Sequence, residues 1–297
     1  MRPGSGGEDE AVAGVPLRKR MHGRHGHRRE TGDNGRALSV LAKAAGGGAV
    51  DGWQPVAELT RWGFAQSPVV MANEAHNALR RCIRTRQVGV RMVRAAHEAG
   101  VRRLAMEALP WQPAGTPGPI REIPEIPPGQ QGYLAQPDMR TLMATALDLG
   151  WTLWAYDVVV EPEPGQDTAE FLTMEFTNWR EREQAQNLCR VLAAAPGEPL
   201  LVWAGNGHAM KKRAEDWIPM GCHFPGLSGI DPFVVDQTVS VDFGHGSRDW
   251  ARELLDGLSD TLAAHDGTAG ILCEQAPEWL ADWPADAVVV STDNALS

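Results

Sequence analysis

Apolar residues along this chain fall into short runs that stop abruptly at polar or charged side chains. Val69–Ala72 ends in the polar segment 73–76, and Leu104–Met106 ends at Glu107. The Arg- and Ala-rich residues 77–99 between these runs are typical of a helix that a glycine terminates. This order predicts a buried strand, a crossover helix and a second buried strand.

The same arrangement recurs along the rest of the chain. Further strands are predicted over 151–160, 199–204, 233–235, 271–273 and 288–290, and further helices over 36–48, 53–64, 138–149 and 168–195. We therefore expect an α/β fold, with a mostly parallel central sheet flanked by helices. Residues 35–297 are expected to form one domain, preceded by a disordered tail over residues 1–34 that is rich in Gly, Arg and His.

Residues 110–137 are dense in proline and glycine and follow Glu107 almost directly. Such a segment cannot form a regular helix or an inner strand. A long loop inside a compact domain is usually functional, so we interpret it as a Pro-rich cap or lid, with Trp111 and Tyr133 as candidate wall residues. The alternative is a plain surface excursion.

Composition narrows the class of protein. The 297 residues are 43% hydrophobic and 22% charged, with a formal net charge of −10. This acidic balance argues against nucleic acid and membrane surfaces as partners. No apolar run approaches a membrane span or a signal peptide, and the four cysteines form no Cys-x-x-Cys pair. We expect a cytoplasmic protein with reduced cysteines and leave the oligomeric state open.

Acid and imidazole side chains follow three of the predicted strands. Glu74 and His76 follow the first, Glu107 follows the second, and His208 follows the run Pro199–Ala204 in a Gly-Asn-Gly-His turn. In open α/β sheets the carboxyl ends of the strands form the ligand crevice. We therefore expect these four residues to converge.

Two chemistries suit these residues. A neutral imidazole, oriented by a carboxylate, can take a proton from a water that attacks an acyl carbon. The same glutamates and histidines (Glu74, His76, Glu107 and His208) can instead bind Mn²⁺, Zn²⁺ or Fe²⁺ and activate a bound water. The sequence leaves both open. It lacks a Gly-x-Ser-x-Gly elbow, a Walker loop and a dinucleotide-binding Gly-x-Gly-x-x-Gly.

Several of these motifs, taken in order, resemble the erythromycin esterase-like and ChaN-like (haem-binding uptake, Tiki) superfamily. Glu74-x-His76 after a strand and Glu107 after the next are similar to its first two motifs. Residues 180–187 (REREQAQN) resemble its Arg-Asp-x-x-Met-Ala-x-Asn helix, and residues 205–208 resemble its Gly-x-x-His strand end. The resemblance covers about residues 66–295.

The resemblance implies an α/β sheet with helices around it. It also implies that Glu74, His76, Glu107, Arg180 and His208 line the site, with His76 as the water-activating base. Members of the superfamily hydrolyse esters, cleave peptides with a metal or bind haem.

This chain departs from the family pattern in three places. Asn73 stands where the family usually has Gly, and Gln184 replaces a Met. The Glu-x-His spacing is closer to the ChaN-like pattern than to the esterase pattern, which argues against macrolides as substrates.

Our first hypothesis is a hydrolase of an ester or amide bond in a small organic substrate. His76 would be the general base, oriented by Glu74 or Glu107, while Arg180 and His208 position the substrate and stabilise the oxyanion. The second hypothesis is a protein that binds haem or another small ligand without catalysis. The third is a metal-dependent hydrolase or a tailoring enzyme that uses the same site, so the cofactor stays open between a divalent metal, haem and none.

Overall fold

The computed structural model describes residues 52–76, 81–109, 118–125, 132–158, 173–241, 247–276, 280, 282–293 and 296; within 247–250 it describes the backbone alone. The predicted tail over 1–34, the predicted helix over 36–48 and half of the Pro-rich segment 110–137, Trp111 included, lie outside these ranges.

The described chain alternates helices and strands as the sequence predicts. The helices are α1 (Val56–Gln66), α2 (Ile83–Glu98), α3 (Pro137–Asp148), α4 (Met174–Ala194), α5 (Met220–Ser228), α6 (Ser247–Gly257) and α7 (Ser259–Ala264). The strands are β1 (Val69–Glu74), β2 (Arg103–Met106), β3 (Thr152–Ala155), β4 (Leu200–Gly205), β5 (Phe233–Asp236), β6 (Thr268–Leu272) and β7 (Ala287–Ser291).

The strands form one seven-stranded sheet in the order β3-β2-β4-β1-β5-β7-β6. Every neighbouring pair is parallel except β6 and β7, which are antiparallel. The predicted α/β fold with a mostly parallel sheet is confirmed. Because a parallel sheet is covered on both faces, its strands are apolar throughout rather than alternating, which explains the continuous apolar runs in the sequence.

Helices cover the two faces of the sheet. Val70 and Ala72 of β1 pack in one core cluster with residues of α1, α2 and α3, while Val69 and Met71 pack in a second cluster with residues of α4 and α5. Alternate side chains of a strand therefore enter opposite cores. At Gly89, α2 lies so close to the sheet that an added Cβ would clash with the buried Trp203 ring.

Single residues pair with both outer strands. Ile120, in the Pro-rich segment, exchanges two backbone hydrogen bonds of 2.8 and 2.9 Å with Leu153 of β3. Gln54 does the same with Gly270 of β6, at 2.8 and 2.9 Å. These bridges pair backbone N–H and C=O groups of the outer strands, which could otherwise pair with a strand of another chain and lead to aggregation.

Several predicted boundaries differ from the structure, two of them beside strands β1 and β3. The helix predicted over 77–99 begins only at Ile83, because residues 81 and 82 are still extended and Arg81 pairs with His76 in an isolated bridge. The strand predicted over 151–160 ends at Ala155. In the described part of the chain, no helix is both long and apolar enough to span a membrane.

Candidate active site

The sheet order brings the predicted site residues to one edge. Strands β2, β4 and β1 are adjacent, so their carboxyl ends place Glu107, the 205–208 turn and Glu74 side by side. After β1 the chain passes through β2 to the outer strand β3, both on one side of β1. It then returns to β4, which is the neighbour of β1 on that side, and continues to β5 on the other side of β1. The residues therefore lie where the strand order reverses, which is where open α/β sheets bind their ligands.

Glu74 and His76 form a hydrogen-bonded pair at the end of β1. Glu74 is the last residue of the strand and is fully buried, and its Oε1 lies 2.8 Å from Nδ1 of His76. Arg86, also fully buried in the first turn of α2, donates to both Glu74 oxygens, with a distance of 2.8 Å from Nη2 to Oε1. Burial lowers the pKa of Arg86, but its bonds to Glu74 outweigh burial and raise it. The carboxylate thus has a permanent counter-cation.

Arg86 also ties the site to the start of α3. Its Nη1 donates to Gln136 and, at 2.7 Å, to Asp138, which Arg81 contacts at 2.9 Å. Burial raises the pKa of Asp138, but the two arginines outweigh it and lower that pKa. Tyr133, in the short 3₁₀ turn before α3, packs edge-on against the His76 ring. The carboxyl-terminal end of the predicted Pro-rich cap therefore forms one wall of the site.

Glu107 lies at the centre of the charged groups. Its Oε2 accepts a hydrogen bond of 2.8 Å from the Gly205 backbone N–H, and its Oε1 accepts one of 2.7 Å from Arg180. Burial raises the pKa of Glu107, but the positive charges of His208, Arg180 and His76 outweigh it and hold that pKa at about 2. Glu107 is therefore an anion at neutral pH, and its charge interacts with both histidines.

The backbone is unusual just after the strands that carry this site. Ala108 and Asn206 have φ values of 62° and 42°, in the left-handed region that non-glycine residues rarely adopt. They follow Glu107 and Gly205 directly. Strained backbone of this kind clusters at functional sites, where the surrounding structure enforces it.

Arg180, on α4, is fixed by two carboxylates. Besides Glu107, its Nε and Nη2 donate to Asp157 at 2.9 and 2.7 Å. Gln184, one turn further along α4, donates to Asp157 at 2.7 Å. Asp157 therefore holds Arg180, and its Oδ1 also accepts a hydrogen bond of 2.7 Å from the Val158 backbone N–H.

His208 belongs to a second imidazole–carboxylate pair, with Nδ1 lying 2.5 Å from Oε1 of Glu181. Glu181 is buried and also accepts hydrogen bonds from Trp217 Nε1 at 2.9 Å and from the Met220 backbone N–H at 2.7 Å. Burial lowers the pKa of His208, but Glu181 and Glu107 outweigh burial and raise it. The His208 ring therefore holds its proton more tightly than a free imidazole.

Asn73, where the family pattern usually has Gly, has a structural role. Its side-chain amide donates to the Asn206 carbonyl and to Asp236, both at 2.7 Å, and its oxygen accepts from the Gln237 backbone N–H at 2.7 Å. The residue thus links the ends of β4, β1 and β5 beside the site.

All five predicted site residues, Glu74, His76, Glu107, Arg180 and His208, occupy this one crevice. The partner of Glu74 is Arg86, in the first turn of α2. Sequence reasoning missed Glu181, whose only signal was its place beside Arg180. Trp203 of β4 is fully buried in the core, and Trp179 of α4 is 44% exposed.

The donor set does not fit a metal ion in the described ranges. No group of three or more His, Cys, Asp or Glu side chains is arranged there to hold one. Glu74 and Glu107, which would have to supply ligands, have their oxygens engaged by Arg86 and Arg180. Haem binding stays a prediction.

Comparisons with known proteins assign the chain to no family. No family model and no curated protein matches it. Among matching solved structures, that of the type III effector HopBA1 is 16% identical, with 65% of this chain and 85% of that chain covered and a TM-score of 0.39. A second, described as bacterial protein toxins, is 14% identical, with 70% and 40% covered and a TM-score of 0.38. Similarity this distant says nothing about activity.

Proposed function

We propose that this protein hydrolyses an ester or amide bond of a small organic substrate, with His76 as the general base. The observation that carries the proposal is the Arg86–Glu74–His76 chain of hydrogen bonds. Glu74 occupies Nδ1 of the ring at 2.8 Å, so Nε2 is the nitrogen left to take a proton from water. The His76 side chain is 24% exposed, which gives solvent and substrate access to it.

The two histidines differ in the charges around them. The carboxylate of Glu74 is shared between His76 and the cation of Arg86, whereas the carboxylate of Glu181 pairs with His208 and accepts otherwise from the neutral N–H groups of Trp217 and Met220. The raised pKa of His208 favours its protonated form. His76 is accordingly assigned as the base and His208 as the acid of the reaction.

The reaction balances with these two groups and one water. His76 takes a proton from water as the water oxygen forms a bond to the acyl carbon. The bond from that carbon to the leaving oxygen or nitrogen breaks, and His208 supplies the proton that the leaving group needs. The products are a carboxylic acid and an alcohol or amine. Arg180, fixed by Asp157 and Glu107, adds positive charge next to the developing oxyanion.

A panel of 4-nitrophenyl esters, lactones and anilides tests this proposal with wild type, His76→Ala and His265→Ala. His265 lies between α7 and the edge strand β6, three strands from β1 in the sheet, and is the matched control. We expect His76→Ala to lower kcat/KM by about 10²- to 10⁴-fold, the usual contribution of a general base, and His265→Ala to leave it unchanged. Equal rates for wild type and His76→Ala on every substrate that is turned over would refute the proposal.

The resemblance to the erythromycin esterase-like and ChaN-like superfamily supports the same residues. That resemblance rests on the order of the motifs in the sequence, and each motif residue that it assigns to the site lies in the crevice. We extend the proposal to membership of that superfamily, which a sequence profile built from relatives of this chain would test.

A further inference from the structure

Tyr133 occupies an unusual position beside the proposed base. Its ring centroid lies 5.4 Å from that of His76, with the two planes at 66°. The guanidinium carbon of Arg86 lies 4.9 Å from the Tyr133 ring centroid, at a distance typical of a cation–π contact. The aromatic ring therefore contacts both the base and the arginine that holds Glu74.

The hydroxyl group of Tyr133 is buried, and it has no hydrogen-bond partner among the described residues. Leaving a buried donor unpaired costs free energy, so such groups in native proteins need an explanation. The other tyrosine of the chain is different. The hydroxyl of Tyr156, fully buried, donates to the Trp203 carbonyl at 3.0 Å.

Charge around Tyr133 determines which form its hydroxyl takes. Burial and the negative charges of Glu74 and Glu107 raise the pKa of Tyr133 well above its ordinary value. The phenol therefore stays protonated at any working pH. It can donate a hydrogen bond, but it is a poor nucleophile.

We propose that Tyr133 is a further catalytic residue, whose O–H donates a hydrogen bond to the carbonyl oxygen of the substrate beside His76. This inference rests on the proposed hydrolase function and names the ligand class of that site: an acyl compound whose carbonyl oxygen accepts from a phenol. The bond strengthens as that oxygen gains negative charge during water attack. The proton stays on Tyr133 throughout, so the bonds formed and broken are those given above.

The wall formed by residues 133–138 explains how the hydroxyl is positioned. Arg86 bonds to Gln136 and Asp138 as well as to Glu74. One guanidinium group thus holds the carboxylate that orients the base and the segment that carries the phenol. Base and donor are fixed relative to each other before a substrate arrives, which is what oxyanion stabilisation requires.

The kinetic test compares Tyr133→Phe with Tyr156→Phe on an ester that the wild type hydrolyses. Tyr133→Phe should lower kcat by about 10²- to 10³-fold, as the loss of one oxyanion donor does, with little change in KM. Tyr156→Phe also removes a buried hydroxyl, but one already bonded within the core, and should leave kcat near the wild-type value. Wild-type kcat in Tyr133→Phe would overturn the inference.

A binding test does not need turnover. The chain has two tyrosines, so protein labelled with ¹³C at the tyrosine Cζ gives two NMR signals, which the two Phe variants assign. Phenylboronic acid, which becomes tetrahedral and anionic on adding water, is the probe. We expect it to shift the Tyr133 signal saturably and to leave the Tyr156 signal in place. An unmoved Tyr133 signal at saturating probe would also overturn the inference.

The two proposals fail in different ways. If no ester is hydrolysed faster by wild type than by His76→Ala, the hydrolase proposal fails. The NMR titration then still decides whether the Tyr133 hydroxyl donates to a bound oxygen. If hydrolysis depends on His76 but Tyr133→Phe is fully active, only the role of Tyr133 fails. Tyr133→Phe removes an unpartnered hydroxyl, so we expect its thermal unfolding to match the wild type.

Discussion

Oε1 of Glu74 lies 2.8 Å from Nδ1 of His76, although only Ala75 separates the two residues in the chain. The contact arises because β1 ends at Glu74 and the chain then turns, so that both side chains lie on the crevice edge of the sheet. Arg86 neutralises the buried carboxylate from the neighbouring helix. The pair therefore presents an imidazole of fixed orientation to the crevice without leaving an isolated charge in the core.

Removing Arg86 should destabilise the fold strongly. Arg86→Leu leaves Glu74 buried without its cation and removes one of the two cations of Asp138, for an expected loss of about 3–5 kcal/mol in the free energy of unfolding. Arg91→Leu, on the same helix, is the control: it breaks a pair with Asp266 whose side chains are 38% and 89% exposed, for an expected loss below about 1 kcal/mol. Urea unfolding measures both, and equal effects would contradict the assigned burial of the Arg86 network.

Gly205 cannot gain a side chain without disturbing the site. A Cβ there would lie 2.8 Å from Oε2 of Glu107 and closer still to Cε1 of His76. Gly205→Ala should therefore abolish turnover. Gly226→Ala is the control, because its added Cβ meets nothing within 4 Å, and it should retain full activity with a gain in stability of up to about 1 kcal/mol. A fully active Gly205→Ala would show that His76 and Glu107 do not meet at this glycine.

Glu107 should make stability pH-dependent in the acid range. The pKa of Glu107 in the folded protein is about 2, below the ordinary value of 4.5. Its ionised form therefore contributes its full stabilisation of the fold above pH 4.5, and this stabilisation is lost as pH falls towards 2. When the pH is lowered from about 5 to about 3, the free energy of unfolding of the wild type should fall by roughly 2 kcal/mol more than that of Glu107→Gln. Glu253→Gln, an exposed change on α6, should follow the wild type. If the free energy of unfolding of wild type and of Glu107→Gln changed with pH in parallel, the lowered pKa assigned to Glu107 would be contradicted.

His208 should keep its proton above its ordinary pKa. Since its folded pKa is raised from 6.5, its charge adds stability below pH 6.5 that is lost as pH rises through the raised value. Histidine-ring NMR follows the titration directly, with the signal assigned by His208→Gln. In Glu181→Gln, which removes the main partner, the pKa of His208 should fall. An unchanged pKa there would rule out the Glu181 contact as its cause.

The strands and their terminal residues were predictable because a charged side chain stops a buried apolar run. Glu107 and His208 illustrate this, since each follows a strand that has no room for charge in its middle. The alternation of short apolar runs with helical segments was enough to give the parallel sheet.

The partners of these residues were harder to predict. Several arginines lie in or just before the first turns of α2, and only the late start of the helix at Ile83 decides that Arg86 faces Glu74. Glu181 follows Arg180 directly, so the two side chains leave α4 in different directions and reach different partners. Tyr133 depends on where the Pro-rich segment returns to the sheet, which no local pattern specifies.

Rescue of His76→Ala by imidazole tests the central claim most directly. If His76 acts only by taking a proton from water, free imidazole in the buffer can enter the vacated space and do the same. We predict that ester hydrolysis is lost in His76→Ala and returns in proportion to added imidazole, while His265→Ala is active throughout. Undiminished hydrolysis by His76→Ala without imidazole would contradict the account.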